Sequence, residues 1–184
     1  MESEEIMAGV VLRLARTEDA EALCAAFVEN RKHLEPWEPH RPESYFTVPV
    51  QARRLADQLR HHAEGRVAPW LLEADGRIVG GLTLNGIALG PFCSAYLGYW
   101  LAADQQGRGL ATAAVHAVCR AARDGLGLHR IEAATLPENT ASQRVLSKCD
   151  FTLIGRAPRY LHINGAWRDH HTFQRVLHDD APAR

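Results

Sequence analysis

The stretch that decides the fold is Trp100-Leu101-Ala102-Ala103-Asp104-Gln105-Gln106-Gly107-Arg108-Gly109-Leu110-Ala111. A strand ends, a glycine-containing turn follows, and an apolar helix begins. The first turn of such a helix has backbone N–H groups without intrahelical acceptors and carries the positive end of the helix dipole. Gly107 and Gly109 lack side chains, so a phosphate can approach that backbone closely, and Arg108 adds charge. The stretch therefore predicts a pyrophosphate site at a helix N-terminus. No Gly-Lys-Ser/Thr tripeptide occurs, which excludes a P-loop. Thr112 stands where a dinucleotide fingerprint needs its third glycine. Taken alone, a two-glycine turn reads equally well as an ordinary loop-to-helix transition.

Working outward, Ala95–Leu101 reads as the strand before this turn and Gly109 to about Asp124 as the alanine-rich helix after it, closed by Gly125 and Gly127. His129–Thr135 is a strand and Thr140–Lys148 a short helix. Phe151–Ile163 and Ala166–Leu177 are strands joined by Asn164-Gly165, a strong hairpin signal. Towards the N-terminus, Ala68–Ala74 and Arg77–Leu84 flank an Asp75-Gly76 turn. Ala52, Leu55, Ala56, Leu59 and Ala63 share one face of a helix stopped by Gly65. The three prolines between Glu35 and Pro42 exclude a regular helix interior. Ala20, Leu23, Cys24, Phe27 and Val28 recur at helical spacing, with Thr17 as the expected N-cap and Glu18 and Asp19 in the first turn. Val10–Leu14 is a first strand. The order implies one domain over residues 10–178, with 1–9 and 179–184 as short terminal extensions.

A chain of 184 residues suits one domain with its own core. Twenty-one Lys+Arg against twenty-two Asp+Glu give a net charge of -1, so there is no electrostatic case for nucleic acid or an anionic membrane as the main partner. No apolar run approaches the roughly 18 residues of a membrane-spanning helix. The acidic Met1–Glu5 stretch is unlike a secretory signal. The four cysteines are scattered without a C-x-x-C pair, so a reduced, cytoplasmic protein is expected. Ten histidines invite a metal reading. Yet His170 and His171 are adjacent in a strand and point to opposite faces. His116 and Cys119 share a helix face but lack the third and fourth ligands a site needs. No metal is expected.

Two blocks carry a family resemblance. Gln106-Gly107-Arg108-Gly109-Leu110-Ala111 resembles the Gln/Arg-x-x-Gly-x-Gly/Ala acyl-CoA signature of the GNAT N-acetyltransferase superfamily. The segment Pro137-Glu138-Asn139-Thr140-Ala141-Ser142, continuing through Lys148-Cys149-Asp150-Phe151, resembles the Asn-x-x-Ser…Lys-x-Gly-Phe block that follows it. Tyr160…Asn164-Gly165…Asp169 and His33-Leu34-x-x-Trp37 are similar to the RimJ/RimL branch, and the resemblance runs from Val10 to Leu177. It implies an α+β fold, a three-layer α/β/α sandwich whose mixed, mostly antiparallel sheet splays between Ala95–Leu101 and His129–Thr135. Acetyl-CoA would lie in that splay. The resemblance places its pantetheine on backbone groups near Leu101, Ala102 and Ala103 and on Asn139. It places the pyrophosphate on the Gln106, Gly107, Arg108, Gly109, Leu110 and Ala111 loop, and Ser142 near the sulfur. Two departures stand out. Asp150 replaces the family glycine before Phe151, which Asp's tolerance of left-handed conformations allows, and Ala113 replaces a frequent Glu, removing any acid role there.

Acyl transfer to an amine needs a neutral amine, donors for the oxyanion and a proton for the departing thiolate. Backbone N–H groups at the end of Ala95–Leu101 are the expected oxyanion donors. Ser142 is the candidate proton donor, its other reading being a hydroxyl bonded back to a helix carbonyl. Glu132 is the candidate base, against the alternative of an ion pair with Arg130 or Arg144. Glu138 and His162 are weaker candidates, and a water chain with no single base remains open. Trp37 and Tyr99 are candidate acceptor contacts, although Trp37 reads equally as a loop anchor and some of Tyr96, Tyr99 and Trp100 must simply pack. The expected acceptor is a protein N-terminal α-amine. A small amine, another acyl group such as succinyl, and a non-catalytic acyl-CoA-binding module are the alternatives. No oligomer signal is readable, and association through the sheet edge or the proline-rich loop stays open.

Overall fold

A computed structural model describes residues 3–181. Eight strands form one sheet in the order β1-β2-β3-β4-β5-β6-β8-β7. They are β1 (Ser3–Met7), β2 (Val10–Leu14), β3 (Ala68–Ala74), β4 (Arg77–Ala88), β5 (Ser94–Leu101), β6 (Arg130–Thr135), β7 (Thr152–Ile163) and β8 (Ala166–Val176). The helices are α1 (Ala20–Glu29), α2 (Arg31–Leu34), α3 (Val48–Ala63), α4 (Leu110–Asp124) and α5 (Thr140–Lys148).

Every neighbouring strand pair is antiparallel except β5 and β6. Parallel neighbours need a crossover connection, and α4 supplies it. The β5–β6 ladder holds only Ser94↔Arg130, Ala95↔Ile131 and Tyr96↔Glu132. Beyond Tyr96 the two strands part. The sheet is therefore mixed, mostly antiparallel and splayed where the resemblance implied.

Side-chain alternation sorts the sheet into two packed faces. Leu71, Ile78 and Trp100 meet Leu23 and Phe27 of α1 and Leu55 of α3. Their sequence neighbours Leu72, Val79 and Leu101 belong to the opposite cluster, with Leu110, Ala114, Val115 and Val118 of α4 and Leu146 of α5. Three layers result.

Two expectations need correction. Residues 3–7, assigned to an N-terminal extension, form edge strand β1, paired as Glu4↔Leu12 and Glu5↔Val11, with Ile6 and Met7 packed on the core. Acidic residues at a sheet edge hid the strand, because edges favour charge over an apolar pattern. Met1, Glu2 and residues 182–184 lie outside the described residues. Thr17 is not the N-cap; its hydroxyl donates to Glu18 Oε1 at 2.7 Å. The buried Asp19 carboxylate instead accepts the Arg16 N–H at 2.7 Å and two Arg13 N–H groups at 2.9 and 2.7 Å. Burial alone would raise the Asp19 carboxyl, but the Arg13 and Arg16 hydrogen bonds hold it below its ordinary value. This pair ties the start of α1 to β2.

Candidate active site

The splay exposes strand backbone inside the molecule. Ala102 N–H donates to Val79 O at 2.8 Å. Antiparallel alternation then turns the backbone of Trp100 and Gly98 towards β4 and that of Tyr99 and Leu101 away from it. No β6 residue stands opposite Tyr99 or Leu101 in the ladder. Of the three expected pantetheine contacts, Leu101 is thus available. The Ala102 N–H is committed to β4, and the Ala103 N–H donates to Asn30 Oδ1 at 2.9 Å. Tyr99 joins Leu101 as a backbone donor, and Asn30, at the end of α1, pins the loop that follows β5.

That loop makes a short 3-10 turn, Ala103–Gln105, before Gly107 and Gly109 adopt φ of 74° and 82°. A Cβ at either glycine would meet nothing within 4 Å, so the backbone there is open to approach. The first bond of α4 is Ala113 N–H to Gly109 O. The N–H groups of Leu110, Ala111 and Thr112 consequently have no intrahelical acceptor. Arg108 donates to Gln105 at 2.8 Å, and the Gln106 amide meets His33 at 3.1 Å. The result is an open cradle of backbone N–H groups, chemistry suited to an anion.

The start of α5 faces the splay. Asn139 caps the helix, its Oδ1 accepting the Ser142 N–H at 3.0 Å. Ser142 Oγ lies 2.7 Å from the Tyr99 hydroxyl, which also donates to the Ser142 carbonyl at 3.3 Å. Burial pushes the Tyr99 phenol up to about 12, against the opposing effect of its Ser142 hydrogen bond. Both hydroxyls therefore keep their protons at neutral pH, and the phenol can replace a proton lost by Ser142. Tyr99, expected at the acceptor, lies instead on the α4–α5 face. Thr135, the last residue of β6, is 4% exposed and its Oγ1 is buried without a partner. Alternation puts it on the same face as Ile131 and Ala133. An orphaned hydroxyl beside an unpaired strand edge and an open phosphate cradle fits an acyl-CoA thioester.

Glu132 points to the opposite face, with Tyr96 beside it in the ladder. Burial, together with Tyr160 and Glu132, raises the Tyr96 phenol. The Glu132 carboxylate pairs with Arg130 at 3.1 Å, and the Arg130 guanidinium lies 4.8 Å from the Phe92 ring centroid. Of the weaker base candidates, Glu138 is paired with Arg168 and His162 packs edge-on to Trp167. Among the described residues, no group of three or more His, Cys, Asp or Glu is arranged to hold a metal. Nor is any helix there long and apolar enough to cross a membrane.

On that second face, a cleft of about 120 Å³ opens between α1, α3, the proline-rich segment and the sheet. Gly81, Thr83 and Trp100 line its floor; Glu38, Arg41, Tyr45, Gln51 and Arg54 line its walls. Trp37, expected to contact the acceptor, lines neither this cleft nor a neighbouring depression bounded by Arg31, Glu35, His40 and Phe46, and is 37% exposed. The wall residues escaped the sequence reading because they sit in separate segments with no shared spacing. Only the proline-rich context of Glu38 and Arg41 pointed there.

An acyl-CoA-dependent N-acyltransferase is the class defined by this splayed sheet, its glycine cradle and the paired hydroxyls at its mouth. The family model described as an acetyltransferase (GNAT) domain matches residues 10–152. The [ribosomal protein uS5]-alanine N-acetyltransferase of Escherichia coli (strain K12) is 34% identical over 177 residues, covering 95% of this chain and 91% of the relative. The ribosomal-protein-S5-alanine acetyltransferase of Vibrio fischeri superposes with a TM-score of 0.93 at 32% identity, over 97% of this chain and 98% of that one. Mycobacterium smegmatis RimJ, solved in complex with CoA-disulfide, gives 0.87 at 36% identity over 91% and 81%. The chain belongs to the GNAT acetyltransferase family and is an acetyl-CoA-dependent enzyme.

Proposed function

We propose that this enzyme transfers acetyl from acetyl-CoA to the N-terminal α-amine of a protein in the cytoplasm. The observation that carries the reading is the placement of two sets of polar groups on opposite faces of β5, the strand that borders the splay. The Tyr99–Ser142 hydroxyls lie on one side and a solvent-open cleft lined by charged and aromatic side chains on the other. The relatives named as uS5-alanine N-acetyltransferases likewise act on an alanine of a protein.

The chain's own groups account for each requirement of the reaction. The neutral amine enters from the α1–α3 face and attacks the thioester carbonyl. Tyr99 and Leu101 present backbone N–H groups to the oxygen that becomes negative, where preorganised donors are most effective. When the tetrahedral species collapses, the C–S bond breaks and the electron pair leaves with sulfur. Ser142 Oγ gives that sulfur its proton and is reprotonated by the Tyr99 hydroxyl, which takes a proton back from water as CoA leaves. Glu132, on the acceptor face at the last paired position before the strands part, takes the amine's proton through water. Leu110 and Ala111 N–H groups, with Arg108 and Gln106, hold the diphosphate, while the free Nδ2 of Asn139 and Thr135 Oγ1 meet the pantetheine arm.

The test is thiol release from acetyl-CoA with a panel of peptides, free amino acids and small amines. Turnover should be greatest with peptides bearing a free α-amine, and mass spectrometry should place the acetyl there. Preferential turnover of small amines, or none with any amine, would overturn the reading.

A further inference from the structure

The acceptor cleft contains three charges that the catalytic steps do not use. Glu38, Arg41 and Arg54 all line it. Arg41 is occupied, its Nε 3.3 Å from Glu38 Oε2. Arg54 has no acidic partner among the described residues. Its one side-chain hydrogen bond donates to Gln51 Oε1 at 3.0 Å, which leaves further guanidinium donors to spare.

The Arg54 head is nevertheless held in place. Its central carbon lies 4.4 Å from the Tyr45 ring centroid, and that of Arg41 lies 4.5 Å from the same centroid. Gln51 is completely buried, and its Nε2 donates to the Tyr45 carbonyl. Burying an amide is costly unless both ends are bonded. Here one end orders Tyr45 and the other orients the guanidinium. A buried amide and an aromatic ring thus fix a cation that no acidic group of the described chain neutralises.

We infer that Arg54, aligned by Gln51 and Tyr45, is a carboxylate-binding subsite that selects acceptors with an acidic residue close behind the reactive amine. This rests on the α-amine reading above and deepens it. One carboxylate balances the cleft, because Glu38 already offsets Arg41. A phosphate dianion would overbalance it and face Glu38. The floor residue Thr83 stands opposite Gly98 in the ladder, beside the point where the splay opens. An extended peptide advances about 3.3 Å per residue, so the selected carboxylate belongs to one of the residues immediately following the first.

The experiment compares peptides that differ only in Glu, Gln, Lys or phosphoserine at the second, third or fourth residue, at saturating acetyl-CoA. At one of these positions kcat/KM for Glu should exceed that for Gln by about tenfold or more, the scale of a hydrogen bond to a charged group. The preference should act through KM and weaken with salt. Arg54→Gln should collapse the Glu-to-Gln ratio to near unity without changing the KM for acetyl-CoA, and Arg54→Lys should restore part of it. Equal rates for Glu and Gln peptides with the unaltered enzyme would overturn the subsite and leave the α-amine reading standing. A stronger preference for phosphoserine, or for free glutamate over any peptide, would also overturn it. No turnover of any peptide would overturn both.

Discussion

The two sides of the splay are built from different materials. The donor side is backbone: the edge of β5, two glycines with positive φ and the first N–H groups of α4. The acceptor side is side chain: Arg41, Tyr45, Gln51, Arg54 and Trp100, drawn from a loop, a 3-10 turn, a helix and a strand. Backbone donors are the same in every family member that keeps the turn, so they suit a constant cosubstrate. Side chains vary freely at a fixed fold, so they suit the acceptor.

Replacing Gly109 with Trp is the strongest way to break that division. The residue has φ 82°, a conformation that costs other residues roughly 1–2 kcal/mol, and the ring would fill the cradle. Acetyl-CoA affinity measured by calorimetry should fall about 100-fold or more, since each 1.4 kcal/mol is a factor of ten. Undiminished binding would remove the phosphate-loop assignment altogether.

Ser142→Ala and Tyr99→Phe probe the proton relay, and each should lower kcat on the order of 100-fold, the lower end for a positioned proton donor. Acetyl-CoA affinity should hold. The double variant should cost little more than either alone, because both remove one relay. Additive losses would mean independent roles. The same phenol carries a pH signature. Its folded-state value is raised to about 12 from 10.0, so the unfolded chain ionises first as pH rises. Its stability contribution is complete below 10.0 and is lost as pH climbs to about 12. Alkaline melts of Tyr99→Phe should lack that component of the decline; identical curves would contradict the buried phenol.

Asn30→Ala sharpens the comparison at the joint between the two sides. Asn30 is 5% exposed and bridges Ala26 O of α1 to the Ala103 N–H after β5. Leaving a buried donor unpaired costs about 1–3 kcal/mol. Thermal melts should show that loss, and KM for acetyl-CoA should rise as the loop loosens. A change in acceptor KM alone would place Asn30 differently. The smallest effect is expected from Trp37→Ala. Because Trp37 lines neither cavity, peptide KM should stay within about twofold, the scatter of surface substitutions. A large rise would return Trp37 to the acceptor site.

Legibility followed the same division. Gly107 and Gly109 could be read from adjacent residues, because they act within their own turn, whereas Asn139 and Ser142 were singled out by the family resemblance and the Asn139 cap came from the structure. Asp150 adopts φ 60°, as its replacement of a glycine implied, and the Asn164-Gly165 hairpin turns with φ of 45° and 81°. Strand β1 was missed because an acidic edge strand needs no apolar alternation. Thr17 was read as a cap because the sequence could not show Arg13 reaching back to Asp19. Glu132 read both as a base and as an ion-pair partner, and its carboxylate, 3.1 Å from Arg130 on the acceptor face, is compatible with both.

By itself the sequence determined the element order from Val10 onward and the glycine turn that opens α4, since these follow from backbone conformation and local hydrogen bonding; the splay was implied by the family resemblance. Tertiary structure decided which side chains share a site. Tyr99 meets Ser142 across 43 residues, and Asn30 reaches Ala103 across 73. No spacing rule encodes such meetings, because strand alternation and helix packing set them only once the sheet is assembled. That is why Tyr99 stands against Ser142, Trp37 falls outside the cleft and Arg54 lies within it.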